Sequence, residues 1–152
     1  MKHFIISWLF LSLSCFADDY SDNFANSVFN LQWNSDINDA QFLFPTGNFR
    51  PLHSEDNDIS FVVSDISMTW YGIPTQEIYF TYSPKLKLNH VRVFFKYQDL
   101  EKVKKKCVEV FGINYRAKED TEKQTFSWKH NRDIRLSINT KSPTQWVYLY
   151  VK

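Results

Sequence analysis

The stretch PTQWVYLYVK, residues 143–152, ends the chain and reads as a β-strand with two apolar faces. Successive side chains of a strand point to opposite faces of the sheet. One face would carry the aliphatic row Val147, Leu149 and Val151, and the other the aromatic row Trp146, Tyr148 and Tyr150. One row is expected to pack into a core, so the second row raises the question of what it contacts.

Upstream segments show the same two-residue period. Residues 59–70 read as one strand or two short ones, and clear single strands are predicted at 75–83, 89–96, 124–129 and 133–140. Turn residues separate them, notably Tyr71-Gly72-Ile73-Pro74 and Ser83-Pro84-Lys85, so consecutive strands are expected to pair antiparallel. The predicted inward rows are Ile78, Phe80 and Tyr82; Val91, Val93 and Phe95; Phe126 and Trp128; Ile134, Leu136 and Ile138; and Val147, Leu149 and Val151.

Two segments have helical spacing. In residues 35–45, Ser35 or Asp36 can cap a short helix that Pro45 ends. In DLEKVKKKCVEVFG, residues 99–112, the apolar residues recur every three or four positions, Asp99 can cap the start and Gly112 the end.

The resulting fold class is α+β. Residues 18–30 are expected to be a loose lead-in and residues 46–58 a long loop. The order helix, long loop, three strands, helix, loop, three strands predicts two helix-plus-three-strand units. These would form one antiparallel sheet with both helices on one face.

This layout resembles small exported bacterial modules, the BamE (SmpA/OmlA) lipoproteins and the β-lactamase inhibitory proteins. The residues that carry the resemblance are Trp33-Asn34-Ser35, Phe44-Pro45, Tyr71-Gly72-Ile73-Pro74 and Phe111-Gly112. The resemblance is one of layout. It implies a partner-binding module whose sheet, or the loops at its edge, makes the contact.

The first residues, MKHFIISWLFLSLSCFADD, are typical of a secretory signal peptide, with cleavage expected after Ala17. Residues 18–152 would then form a single domain without a transmembrane segment. A retained anchor and a lipidated Cys15 are the alternatives, although Ser12 stands where a lipidation site favours Leu. The chain has no Asn-x-Ser/Thr sequon, which favours a periplasmic over a eukaryotic secreted protein.

Charge is divided between the two halves of the mature chain. Residues 18–65 contain nine acidic residues against Arg50 alone, whereas residues 66–152 contain eight acidic and sixteen basic residues. The two halves could attract each other in the fold, or the asymmetry could steer a charged partner.

Signatures of enzymes are weak. The three glycines are too scattered for a phosphate-binding loop, and His53, His90 and His130 lie in different predicted elements, without metal-ligand spacing. No cofactor is expected. Cys107 lies on the apolar stripe of the second helix, which predicts a buried, inert thiol rather than a nucleophile.

Charged clusters are expected to be solvated. Carboxylates crowd two loops, at Glu55, Asp56 and Asp58 and at Glu119, Asp120 and Glu122. Glu101 and Glu109 dilute the basic run of residues 102–106, so it reads as the outer face of a helix, and export argues against a nucleic-acid partner.

The face opposite the core rows mixes rings and cations. The predicted outward residues are Glu77, Tyr79 and Thr81; Arg92, Phe94 and Lys96; Ser127 and Lys129; Arg135, Ser137 and Asn139; and Trp146, Tyr148 and Tyr150. These rings could simply pair across strands, or the 46–58 loop could cover them. Trp, Tyr and Arg also dominate binding hot spots.

The sequence therefore predicts an exported, non-enzymatic module that binds an envelope or secreted protein through this face. The predicted binding residues are Trp146, Tyr148, Tyr150, Arg135, Arg92 and Phe94. One alternative is a small hydrolase of envelope polymers using residues among Asp56, Asp58, His90 and His130. Another is a binder of anionic glycans or lipids that uses the same face.

Overall fold

The computed structural model describes residues 19–20, 23–51, 58–64, 67–129, 132–141 and 145–152. These contain two α-helices, α1 (Ile37–Leu43) and α2 (Leu100–Phe111). The strands are β1 (Asp19–Tyr20), β2 (Ser27–Val28), β3 (Leu31–Gln32), β4 (Asn48–Pro51), β5 (Ile59–Val63), β6 (Thr69–Trp70), β7 (Ile73–Tyr82), β8 (Leu88–Phe95), β9 (Arg116–Glu119), β10 (Lys123–Lys129), β11 (Asp133–Asn139) and β12 (Trp146–Val151).

Ten of these strands form one sheet: eight follow the order β1-β6-β7-β8-β12-β11-β10-β9, and β5 and β4 lie off this path. The long strand β7 has two partners along one edge: β6 pairs with its first residues, and β5, which also pairs with β4, pairs with its last ones. All these pairings are antiparallel except that of β1 with β6. Strands β2 and β3 form a separate two-stranded ribbon.

Alternation along the strands is confirmed. Val147, Leu149 and Val151 of β12 are fully buried, while Trp146, Tyr148 and Tyr150 are half-buried on the other side. Inward rows of β7, β8 and β11 join the same hydrophobic cluster. The sheet therefore has a dry inner face and an outer face that is partly open.

Helix α2 covers the inner face as its periodicity predicts. Val103, Cys107 and Phe111 are buried in the core. Asp99 precedes the helix but is buried, with its carboxylate 2.8 Å from Lys102 Nζ. Gly112 ends the helix with φ of 89°, a conformation that side chains with a Cβ rarely adopt.

The predicted cap of α1 and the predicted turn after β6 are both present. The Asp36 side chain accepts a hydrogen bond from the backbone N–H of Asn38, and the Asp39 side chain accepts one from the backbone N–H of Asp36. Tyr71 and Gly72 both have positive φ, 50° and 73°, and join β6 to β7 as a two-residue hairpin loop.

The predicted α+β fold class of two helix-plus-three-strand units is wrong, because the protein is mostly β. Helix α1 has only seven residues. Part of the predicted 46–58 loop forms β4, and the predicted loop after α2 contains β9. Both are edge strands whose polar sequences take the extended conformation by pairing with a neighbour, and this pairing is invisible in local periodicity.

The predicted loose lead-in is also incorrect for the described residues of 18–30. Phe24, Val28 and Phe29 are fully buried in the core. The Trp33 indole Nε1–H donates a hydrogen bond of 3.1 Å to the Phe24 carbonyl, which anchors the segment. The aromatic residues of this segment therefore belong to the core, although their spacing follows neither a helix nor a strand period.

The predicted signal peptide, Cys15 and Ala17 lie outside the described residues. No helix in the described ranges is long and apolar enough to cross a membrane. Export therefore stays a prediction from the sequence.

Gly47 allows the ring of Phe61 to approach the backbone. A Cβ placed on Gly47 would lie 2.3 Å from Phe61 Cζ, and Phe61 is fully buried. We expect Gly47→Ala to lower the free energy of unfolding by about 1–3 kcal/mol, because the ring must leave a well-packed position. Urea unfolding of both proteins measures this difference.

A double-mutant cycle with Phe61→Leu separates this clash from a loss of backbone freedom. Removing ring atoms makes room for the new methyl group, so the two substitutions should be less costly together than the sum of their separate effects. Strictly additive effects would contradict the clash.

Candidate functional site

The strand register brings the six predicted binding residues together on the outer face. Trp146, Tyr148 and Tyr150 lie on β12, the central strand of this group. On one side, β8 places Phe94 opposite Tyr148 and Arg92 opposite Tyr150. On the other side, β11 places Arg135 opposite Tyr150. Their positions follow from the antiparallel pairing of β8, β12 and β11.

Four rings form a continuous outer aromatic cluster: Trp146, Tyr148, Phe94 and Tyr79. Ring centroids are 4.9 Å apart for Trp146 and Tyr148, and these two rings are stacked. Tyr148 and Phe94 are 5.1 Å apart, and Phe94 and Tyr79 are 5.3 Å apart. All four side chains are half-buried, so each ring keeps some surface open to a ligand.

Three arginines form a second feature, the arginine row of Arg116, Arg135 and Arg92. Ser127 of β10 is the register partner of both Arg116 and Arg135. Tyr150 of β12 is the register partner of both Arg135 and Arg92. The three arginines therefore stand on β9, β11 and β8, which are alternate strands of one cross-strand row.

Stacking on tyrosine rings holds two of these guanidinium groups. The Arg135 guanidinium carbon lies 5.7 Å from the centroid of Tyr150, and that of Arg92 lies 5.4 Å from the centroid of Tyr79. Such contacts orient the cation without neutralising its charge. Within the described residues none of the three arginines forms a salt bridge, and the buried Nε of Arg92 has no hydrogen-bond partner.

Tyr79 closes the cluster at the β7 end through a polar network. Its hydroxyl donates a hydrogen bond of 3.0 Å to Glu77 and accepts one of 3.1 Å from Arg50. Arg50 also lies 3.5 Å from the Glu77 carboxylate. Burial and the adjacent Glu77 carboxylate raise the pKa of Tyr79. Sequence reasoning missed Arg50 because it lies in the predicted loop that forms β4.

Beyond Arg135, the outer face becomes a cationic groove across β9, β10 and β11. Its volume is about 890 Å³. Four exposed cations line it, Arg116, Lys118, Lys129 and Arg135. Asp133 is the one carboxylate among the described lining residues, and it stands opposite Lys129 in the register. The groove therefore carries an excess of positive charge.

The outer face is closed toward β5. Ser60, Val62 and Thr81 point outward by their register but are buried, and the hydroxyls of Ser60 and Thr81 lie 3.0 Å apart. The open part of the face therefore extends from β9 to β7. Residues 52–57 of the loop that could cover it lie outside the described residues.

His90 lies two residues before Arg92 on β8, beside the arginine row, with its ring centroid 5.2 Å from that of Tyr150. Burial lowers the pKa of His90 to about 4, and the nearby cations Arg92 and Lys152 act in the same direction. The imidazole is therefore neutral at neutral pH.

Cys107 and the carboxylates near Asp120, the other candidate chemical groups, have structural roles. Cys107 is buried as predicted, and burial raises the pKa of its thiol. The Asp120 carboxylate accepts backbone hydrogen bonds from Glu122 and Lys123 within a turn, which lowers the pKa of that carboxyl. Glu122 pairs with Lys141 at 2.8 Å.

The proposed hydrolase residues are only partly described. Asp56 and His130, with Glu55 and His53, lie outside the described residues. Across the described ranges, no group of three His, Cys, Asp or Glu side chains could hold a metal ion. Of the four residues proposed for a hydrolase, the structure describes only Asp58 and His90.

Lysines of α2 are paired along the helix. Lys102 lies 2.8 Å from Asp99, Lys104 lies 3.5 Å from Glu101, and Lys106 pairs with Glu109. These ion pairs neutralise part of the positive charge of residues 102–106. The cationic groove on the opposite side of the sheet is the stronger positive feature.

A scan against protein-family models and searches of curated proteins and of solved structures each found no match to this chain. The resemblance to the BamE and β-lactamase inhibitory proteins therefore stays a prediction from sequence layout.

Proposed function

We propose that this chain is an exported, non-enzymatic module that binds a protein partner through the outer face of its sheet. The observation that carries the proposal is the outer aromatic cluster beside cations that lack carboxylate partners within the described residues. Trp, Tyr and Arg contribute most of the energy at protein interfaces when they are desolvated by a partner.

A structural role alone explains these rings less well. Cross-strand aromatic pairs do stabilise an exposed sheet, by about 0.2–1 kcal/mol per pair. Pairing of the rings does not require the excess of positive charge beside them. That excess lowers stability, because like charges on one surface repel each other. Rings together with unneutralised arginines favour a surface that a partner completes.

Binding of an anionic glycan or lipid is the second candidate. The groove of about 890 Å³ and its four exposed cations favour it. The aromatic cluster distinguishes the two candidates, because a ligand recognised by charge alone would depend on the cations and little on the rings. Affinity of such a ligand would also fall steeply as salt screens the cations.

Replacing two rings of the cluster tests the proposal. We expect Trp146→Ala with Tyr148→Ala to weaken capture of a protein partner from an envelope extract at least 30-fold, measured by cross-linking and quantitative blotting. Each lost ring contact is worth about 0.5–1.5 kcal/mol to stability. The thermal transition should therefore stay cooperative and fall only moderately.

Phe42→Ala is the matched control, because Phe42 on α1 is 86% exposed and belongs to no part of the outer face. It should leave capture unchanged. Arg135→Ala tests the same surface without removing a packed ring. Unchanged capture by both outer-face variants would contradict the proposal, as would unfolding of the ring variant together with unchanged capture by Arg135→Ala.

A further inference from the structure

The arginine row has a regular spacing. Neighbouring strands of a sheet lie about 4.8 Å apart, so arginines on alternate strands stand about 9.6 Å apart. Arg116 and Arg92, at the two ends, are separated by four strand intervals, or about 19 Å. Since Arg135 and Arg92 both lean over the tyrosine of the next strand, this interval is kept at their guanidinium groups.

Few polypeptide conformations repeat at this distance. The polyproline II helix has three residues per turn and rises about 3.1 Å per residue, so every third side chain faces the same way at intervals of about 9.3 Å. Two turns cover about 19 Å, the length of the arginine row. An extended strand places same-side residues about 6.8 Å apart and loses register with the arginines after one step.

The aromatic cluster lies where a second edge of the same polyproline II helix would contact the sheet. Tyr148 and Phe94 are displaced from the arginine row by two residues along β12 and β8, which is about 6.8 Å. A polyproline II helix laid across the strands would present one edge to the arginines and a second edge to these rings. Polyproline II ligands are bound by aromatic-lined grooves because proline rings pack on them at little entropic cost.

The positive charge of the arginine row indicates which residues the ligand presents to it. The arginines have no carboxylate partner among the described residues, and carboxylates are the groups that a guanidinium binds with paired hydrogen bonds. The ligand should therefore carry Asp or Glu at every third position.

We propose that the outer face binds a proline-rich segment in polyproline II conformation with an acidic residue at every third position. The acidic side chains pair with Arg116, Arg135 and Arg92, and the prolines pack on Tyr148 and Phe94. This inference rests on the proposed function and names the chemistry of the partner. The segment crosses the strands, so it does not extend the sheet.

Synthetic peptides test the spacing directly. The probe is a fluorescein-labelled peptide of four Asp-Pro-Pro repeats, with affinity measured by fluorescence anisotropy. One control has four Asp followed by eight Pro, which keeps charge and composition but not spacing. A second control has four Asp-Gly-Gly repeats, which keeps spacing along the sequence but not the preformed helix. We expect the probe to bind at least tenfold more tightly than either control.

Variants locate the site on the protein. Arg116→Gln and Arg135→Gln should each weaken binding of the probe about fivefold to 20-fold, as expected for loss of one charge-assisted pair. Lys105→Gln is the matched control, because Lys105 is exposed on α2, on the other side of the sheet. It should change affinity less than twofold.

Three results would overturn this inference. The clustered-charge peptide or a sulfated polysaccharide could bind as tightly as the probe, which would indicate a general polyanion surface. The protein alone could form a dimer in sedimentation that Arg135→Gln dissociates, which would make a second copy the occupant. The probe could also fail to bind.

Failure of the probe has a meaning separate from failure of the proposed function. If extract capture still depends on Trp146 and Tyr148, the partner lacks the acidic polyproline II segment but the binding face stands. Loss of both results would remove both proposals.

Discussion

Trp70→Ala should be the most destabilising of the substitutions considered, with a loss of about 3–5 kcal/mol in the free energy of unfolding. Trp70 is fully buried, and its ring stacks on Phe24 and Phe111 at centroid distances of 5.9 Å and 6.2 Å. Removing the Trp70 ring takes away the contact that the N-terminal segment, the sheet and α2 share. Such a loss is a large part of the roughly 5–15 kcal/mol that stabilises a domain.

Trp146→Ala gives the matched comparison, since it removes the same side chain from the outer face. Its cost should be about 1.5–2.5 kcal/mol, because the ring is only half-buried and its stacking on Tyr148 adds about 0.5–1.5 kcal/mol to the value of that burial. Chemical denaturation of both variants measures the difference. Equal losses would show that the outer ring is core, and would remove the basis for the proposed binding face.

Acid should destabilise the protein in the window between pH 6.5 and 4, and His90 should account for part of this effect. The pKa of His90 is about 4 in the folded protein, whereas an unfolded histidine has a pKa of about 6.5. Between these values the unfolded state binds a proton that the folded state does not, so the free energy of unfolding falls as pH falls. At pH 4.5 the loss is about 1–2.5 kcal/mol once the partial exposure of the ring is allowed for.

His90→Gln isolates that contribution. The variant should lose less stability than the wild type when unfolding is compared at pH 7 and pH 4.5, because Gln does not titrate. Arg92 and Lys152 stay in place, so the local positive charge is unchanged. Parallel stability-pH curves for the two proteins would show that the imidazole is not held in its neutral form.

Periodicity located the elements that contact the core. Helix α2 and strand β12 could be predicted because each buries one regular stripe, such as Val103, Cys107 and Phe111 on the helix. Strands β4 and β9 could not, because edge strands face solvent and carry residues such as Arg116 and Lys118 that show no apolar alternation. The irregular N-terminal segment was missed for a similar reason.

The candidate site was predictable in composition and unpredictable in geometry. Alternation along β12 placed Trp146, Tyr148 and Tyr150 opposite the valines, as the structure has them. The spacing of Arg116, Arg135 and Arg92 depends on strand order, and β8 and β12 are neighbours although about fifty residues separate them in the sequence. No local pattern contains that information.

Strand β9 stands at the end of the sheet path, and no described strand pairs with its outer backbone edge, so this edge could accept a strand from another molecule. Its four residues, Arg-Ala-Lys-Glu, are all exposed and carry a net positive charge, which opposes pairing with an identical incoming edge. Mutual repulsion of this kind weakens as counterions accumulate. Concentrated salt should therefore favour edge-to-edge pairing of two copies through β9.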